Sequence, residues 1–265
     1  MPHLITVWPS VIERFRRASR VLLLLDYDGT LTPIVARPEQ ANLSADTRQL
    51  LNDLKTNTKF VLGVISGRSL ADVRERVGVK DIIYAGNHGL EMAGLGKEFL
   101  HPEAMALRDV LELICQKLSQ ELGQYPGVIV ENKGLTLSVH YRLTPENLVV
   151  QVENTFNSVV AAGVGDNVVR ITGGKKVLEV RPNVAWDKGK AIARIIEVHS
   201  NSKNAAATLA TYFGDDLTDE AGFSVVQDAA GIAVFVGPAR QPTQAMYRVD
   251  SPAEVADTLR LLRQL

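Results

Sequence analysis

Residues 21–30 read VLLLLDYDGT, five aliphatic residues followed by two aspartates that flank one tyrosine. A continuously apolar run suits a strand covered on both faces, as in a parallel sheet between helix layers, whereas a half-exposed strand alternates. The two carboxylates then fall where the strand leaves the core, which is where open parallel sheets bind ligands. They are either solvated turn residues or a reaction centre. The rest of the chain has to choose.

The same pattern recurs on both sides of a different middle. FVLGVIS (60–66) and DIIYAG (81–86) read as strands, while SADTRQLLNDLKTN (44–57), with Ser44 as N-cap, and SLADVRERVG (69–78) read as helices. Late in the chain, KGKAIARIIEVH (188–199) and LTDEAGFSVVQ (217–227) read as helices, ATLATYFGD (207–215) and GIAVFVG (231–237) as strands. PAEVADTLRLLRQL (252–265) closes as an amphipathic helix. Between 103 and 183 the order is helix, strand, strand, helix, strand, strand, the strands being GVIVEN, LTLSVHYR, DNVVRIT and KKVLEVRP. Leu135, Leu137, Val139 and Tyr141 share one parity and Thr136, Ser138, His140 and Arg142 the other, so that sheet has one apolar and one polar face. The expected fold is α/β: a Rossmann-like parallel-sheet core from 1–102 and 184–265, with an α+β insertion at 103–183.

Composition narrows the partners. Among 265 residues, 46% are hydrophobic and 22% charged, and the net charge is −1. That balance gives no global attraction to nucleic acid or to an anionic membrane, so any anion site must be built locally. Arg14, Arg16, Arg17 and Arg20 read as a solvated helix face. No apolar run approaches the roughly 18–20 residues of a membrane-spanning helix, and the first residues lack the order of a signal peptide. The lone Cys115, in LELICQKL, reads as a buried structural thiol. Trp8 and Trp186 also read as structural. A monomer in the cytoplasm is expected.

Four motifs stand at strand ends or helix starts: Asp26 and Asp28, then Ser66-Gly67-Arg68, then Lys188-Gly189, then Gly214-Asp215-Asp216 with Asp219-Glu220 beyond. Each alone is ordinary turn or cap chemistry; their coincidence is not. Clustered carboxylates repel one another, and a divalent cation relieves the repulsion; an oxygen-only donor set favours Mg²⁺. A serine hydroxyl, backbone N–H groups and a lysine suit phosphate. One aspartate can attack phosphorus while the other moves the proton.

Together LLLLDYDGTLTP, VISGRS, the DKGK segment and FGDDLTDE resemble the four motifs of the haloacid-dehalogenase (HAD) superfamily of aspartate-nucleophile phosphatases. The resemblance implies a HAD core carrying a C2B-like cap, with Asp26 as nucleophile and Asp28 as general acid/base. It implies phosphate binding by Ser66, Gly67 and Lys188, with Lys190 a competitor for the lysine part. Mg²⁺ would be held by Asp26, Asp28 and Asp215, with Asp216 or Asp219 in support. DYDGTLTPI, AGNHGLE, ENKG, HYR and GKKVLEVRP further resemble the trehalose-6-phosphate phosphatases. That narrower likeness implies a sugar-phosphate substrate and, in the same pathway, a glycosyltransferase that forms it.

The insertion supplies polar groups by parity: Glu131 with Lys133, His140 with Arg142, Lys175 with Glu179 and Arg181. Carboxylates and cations together can hold sugar hydroxyls as acceptors and donors. The other reading is a solvated sheet face. Asn87 and His88 are expected to contact substrate or to hold the strand-end loops, with His88 as a base the lesser reading. The rival functions are phosphatase action on another glycosyl phosphate, such as mannosyl-3-phosphoglycerate or sucrose 6-phosphate, and a non-catalytic sugar-phosphate-binding relative.

Overall fold

The computed structural model describes residues 1–163, 167–174, 176–200, 208–238 and 242–265. Lys175, and the first residues of the strands expected at 166 and 207, lie outside them. In chain order the elements are α1 (Trp8–Arg17), β1 (Arg20–Asp26), α2 (Ala45–Thr56), β2 (Phe60–Ile65), α3 (Leu70–Val77), β3 (Ile83–Gly86), β4 (Glu91–Ala93), β5 (Phe99–Leu100), α4 (Pro102–Ala106) and α5 (Arg108–Leu122). There follow β6 (Ile129–Asn132), β7 (Leu137–His140), α6 (Glu146–Gly163), β8 (Val169–Gly174), β9 (Val177–Pro182), α7 (Lys188–Ser200), β10 (Thr208–Gly214), α8 (Glu220–Asp228), β11 (Ile232–Val236), β12 (Tyr247–Val249) and α9 (Pro252–Leu262). The chain divides into two compact units, Met1–Phe99 with Trp186–Leu265, and Leu100–Ala185.

The first unit is built on a sheet ordered β12-β11-β10-β1-β2-β3-β4-β5, parallel from β12 to β3 and antiparallel from β3 to β4. Alternation decides its layers. Val21, Leu23, Leu25 and Tyr27 pack with Val11 and Phe15 of α1, Leu50 and Leu54 of α2, Val73 and Val77 of α3 and Leu259 of α9. Leu22 and Leu24 pack on the other side with Ile192 and Ile195 of α7 and Phe223 and Val226 of α8. All five aliphatics are fully buried, at about 1.5–3 kcal/mol each. Because β1 lies between β2 and β10, the connections diverge at its carboxyl end, and Asp26 is its last residue.

The second unit is a four-stranded sheet, β6-β7-β9-β8, in which every pairing is antiparallel. Leu137, Val139, Val180 and Leu178 pack against Leu111, Ile114 and Leu118 of α5 and Val152, Phe156 and Val160 of α6. Cys115 is buried in that core as a free thiol, and its burial pushes its pKa up.

Some boundaries differ from expectation for local reasons. Asp81 has φ +55, so β3 starts at Ile83 rather than at 81. The helix expected from 217 begins as a 3₁₀ turn, Leu217–Asp219, tightened by reciprocal capping between Asp216 and Asp219. β7 ends at His140, leaving Arg142 exposed in the turn closed by Thr144 N–H to Tyr141 O, so strand parity does not place it. The four arginines do not share a solvated helix face: Arg14 donates to the carbonyls of Ala230 and Gly231, and Arg20 opens β1. No helix among the described residues is long and apolar enough to cross a membrane.

Candidate active site

The carboxyl end of β1 is where the first unit concentrates its buried charge. Asp26 is 4% exposed, Lys188 3% and Asp219 fully buried. Lys188 opens α7, whose first turn is capped by Asp187 accepting from the N–H of Lys190 across 2.8 Å. The Lys188 side chain is directed inward: its Nζ donates to Asp26 Oδ1 at 2.7 Å and to Asp219 Oδ1 at 2.6 Å. Lys190 is exposed on the same helix, so of the two lysines only Lys188 enters this cluster.

Burial pushes the pKa of Asp26 well above the carboxylate range. Lys188 opposes that shift, and the charges of Asp219 and Asp215 add to it. Burial alone would lower the pKa of Lys188, but Asp219 and Asp26 hold it well above its usual value. The ammonium is therefore fixed between two carboxylates that need it.

Asp219 accepts four hydrogen bonds. Lys188 and the Tyr212 hydroxyl, at 2.5 Å, meet Oδ1; the backbone N–H groups of Asp215 and Asp216, at 2.9 and 3.1 Å, meet Oδ2. Those donors use the lone pairs of a carboxylate, so Asp219 organises the loop and the lysine. Asp216 is also engaged, its Oδ1 accepting from the N–H and hydroxyl of Thr218, both at 2.7 Å.

Asp26, Asp215 and Asp219 each offer a carboxylate oxygen, and the three oxygens lie within 4.8 Å of one another. Gly29, at φ +92, brings the loop after β1 so close that a Cβ there would lie 2.2 Å from Asp215 Oδ2. With Asp219 occupied by its four donors, Asp26 and Asp215 are the carboxylates of this oxygen-only cluster that fit a hard divalent cation. Neither the Asp28 nor the Asp216 carboxylate belongs to the three.

Ser66 is buried, and its Oγ accepts from the N–H of Arg68 at 3.1 Å. The loop with Asn87 and His88 is fastened onto the Ser66–Arg68 loop: Asn87 N–H donates to Arg68 O at 2.7 Å and His88 N–H to Ser66 O at 2.9 Å. Asn87 and His88 both have positive φ, and the imidazole lies over Gly67, where a Cβ would be 2.8 Å from the ring. Glu91 completes the brace, its Oε1 accepting from Asn87 Nδ2 and from Leu70 N–H, both at 2.7 Å. Asn87 and His88 thus hold the strand-end loops together.

Sequence reasoning gave no part to Arg68, Tyr212, Glu91 or Asp187. Arg68, Glu91 and Asp187 lie inside the quoted motifs, but the contacts of Arg68 with Asp28 and of Glu91 with Leu70 span 40 and 21 residues. Tyr212 sits in a mostly apolar strand, where an aromatic residue reads as packing.

In the second unit the register sets Glu131 opposite Ser138, Ser138 opposite Glu179 and Glu179 opposite Thr172, a polar row across the sheet. Glu131 Oε2 is 2.9 Å from His140 Nε2. Lys133, one residue past β6, reaches Glu179 Oε1 at 3.2 Å, and Arg181 Nε is 3.9 Å from Glu179 Oε2. Glu131, Lys133, His140, Glu179 and Arg181 therefore form paired polar groups on one face, while Lys175 lies outside the described residues.

The trehalose-phosphatase family model matches residues 24–253. The chain is 38% identical over 253 residues to the trehalose-phosphate phosphatase of Mycobacterium bovis, covering 94% of this chain and 63% of that protein. It is 39% identical over 250 residues to that of Mycobacterium avium, covering 92% and 62%. It thus spans a little under two thirds of the length of these relatives. Among solved structures, the C-terminal domain of the Candida albicans trehalose-6-phosphate phosphatase superposes with a TM-score of 0.81 at 28% identity, over 100% of this chain and 98% of that one. A HAD-superfamily phosphatase of Bacteroides thetaiotaomicron, at 14% identity, shares the fold with a TM-score of 0.56 over 94% of this chain and 96% of that one.

Proposed function

The chain belongs to the trehalose-phosphatase family, and from that premise we propose that it hydrolyses trehalose 6-phosphate to trehalose and inorganic phosphate. The observation that carries this reading is Lys188 clamped between Asp26 and Asp219 at the carboxyl end of β1, with Asp215 alongside. An Asp26 oxygen attacks phosphorus, and the P–O bond to the sugar breaks. The departing oxygen takes its electron pair and a proton from Asp28, leaving an aspartyl-phosphate and ionised Asp28. Asp28 then removes a proton from water, the water oxygen attacks phosphorus, and the bond to Asp26 breaks, restoring both carboxyl groups. Lys188, Ser66 and backbone N–H groups near Gly67 hold the phosphoryl oxygens as charge develops.

Asp26 and Asp215, with the backbone carbonyl of Asp28, would hold Mg²⁺, and Asp219 and Asp216 would shape the loop that carries Asp215. When bound, the cation supplies positive charge that offsets both the carboxylates and the phosphoryl oxygens. In the inserted unit, Glu131, Lys133, His140, Arg142, Glu179 and Arg181, together with Lys175, hold the sugar. The protein acts as a cytoplasmic monomer on a small-molecule substrate, and the buried lone Cys115 fits a reducing compartment.

Phosphate release across a panel of sugar phosphates, with and without Mg²⁺, tests the reading. Trehalose 6-phosphate is expected to lead the panel, and Asp26→Asn to abolish turnover. A preference for sucrose 6-phosphate or mannosyl-3-phosphoglycerate by about tenfold in kcat/KM would move the assignment to that ester.

A further inference from the structure

Arg68 takes no part in the chemistry above, yet its side chain is only 7% exposed and meets Asp28 in a two-pronged contact. Nε donates to Oδ2 at 2.7 Å, and Nη2 to Oδ1 at 2.8 Å. The guanidinium is fixed independently of Asp28. Nη1 donates to Asp72 Oδ2 at 2.7 Å, Nη2 also donates to Pro38 O at 2.9 Å, and the group lies 5.4 Å from the centre of the Tyr27 ring. Tyr27 is itself anchored, its hydroxyl donating to Ala41 O at 2.9 Å. The Asp28 side chain, by contrast, is 40% exposed. An exposed loop carboxylate without a partner turns among its rotamers.

We propose that Arg68 is a positioning residue that holds the Asp28 carboxylate in one plane and one rotamer through both halves of the reaction. The inference rests on the proposed function. Each Asp28 oxygen spends one lone-pair direction on the fork and keeps another for the travelling proton. A planar fork fixes a carboxylate in a way that a point-charge ammonium does not. Misplacing a proton carrier by about 1 Å costs about 10²-fold.

The test compares two leaving groups. Trehalose 6-phosphate expels an alkoxide that needs a proton, whereas 2,4-dinitrophenyl phosphate expels a stabilised phenolate that does not. With Mg²⁺ present, Arg68→Ala and Arg68→Lys are expected to lower kcat/KM on trehalose 6-phosphate about 10²-fold. On the dinitrophenyl ester the loss should stay within about threefold. In an Asp28→Ala background, neither Arg68 change should add further leaving-group discrimination. Equal losses on both esters, or full additivity with Asp28→Ala, would overturn the proposal. So would faster turnover of trehalose 6-phosphate, because the fork would then be a restraint. Should Arg68→Ala fail to fold, Arg68→Lys carries the comparison, since it retains the buried cation and loses only the fork. Unaltered chain inert toward both esters would instead remove the functional reading on which the proposal stands.

Discussion

Lys188 donates to Asp26 across 2.7 Å although the two are 162 residues apart in the chain. With Asp219 on its other side, the ammonium separates two buried carboxylates. Removing one partner of a buried ion pair strands the other's charge, a cost of about 3–5 kcal/mol. Lys188→Met should therefore lose stability by that amount in urea denaturation without metal, as well as abolishing turnover. Adding Asp219→Asn to it should recover part of the stability and none of the activity.

Tyr212 reaches the same carboxylate from below the site, at 2.5 Å from Asp219 Oδ1. Its burial, then the charge of Asp219, push its pKa well up, so the hydroxyl stays a donor at neutral pH. A hydrogen bond to a charged acceptor contributes about 1.5–3 kcal/mol. Tyr212→Phe should lower stability by that range, read from the urea midpoint. A smaller shift would mean that a water replaces the hydroxyl.

The Asp215 carboxylate raises the pKa of Asp26 and touches the Gly29 backbone. Mg²⁺ should raise the melting temperature of the unaltered chain, with stabilisation of about 2.7 kcal/mol at a hundredfold excess over Kd. Asp215→Asn removes a ligand and also a like charge. It should lose the Mg²⁺-dependent shift while melting no lower than the unaltered chain in EDTA. Differential scanning calorimetry in both buffers reads the two effects separately.

These relationships mark where the sequence stops being legible. The apolar runs announced a parallel sheet covered by helices on both faces because β1 alternates its aliphatics between two helix layers. The insertion was legible because the strand around Val139 alternates and packs one face only. Asp26 and Lys188 could be picked out by residue type at strand and helix ends. Their contact could not, because it depends on α7 being docked against the β1 end. The same holds for Arg68 and Asp28, 40 residues apart. Parity failed for Arg142 because it presumes that the strand continues, and the chain turns after His140.

In the inserted unit, Glu131 pairs with His140 at 2.9 Å on the polar face. If that face holds the sugar, truncating the carboxylate weakens substrates that carry the disaccharide and spares those that do not. Glu131→Ala should raise KM for trehalose 6-phosphate by about tenfold or more, with little effect on a small aryl phosphate. Equal losses on both would assign Glu131 to folding of the sheet.

Asp72 offers a pH test of the frame behind Arg68. Burial alone would raise its pKa, but hydrogen bonds from Arg76, at 2.8 Å, and Arg68, at 2.7 Å, bring it below the usual carboxylate value. A depressed folded-state pKa means that the unfolded chain binds the proton more readily. The stabilisation is therefore complete above the unfolded value of about 3.9 and is lost as pH falls through the folded one. Asp72→Asn should cost stability at neutral pH, and its difference from the unaltered chain should stay level down to about pH 5. Below about pH 4 the two urea midpoints should converge as the native carboxylate takes up its proton. A gap that persists undiminished well below that would assign the loss to packing of α3 rather than to the charge that Asp72 presents to Arg68 and Arg76.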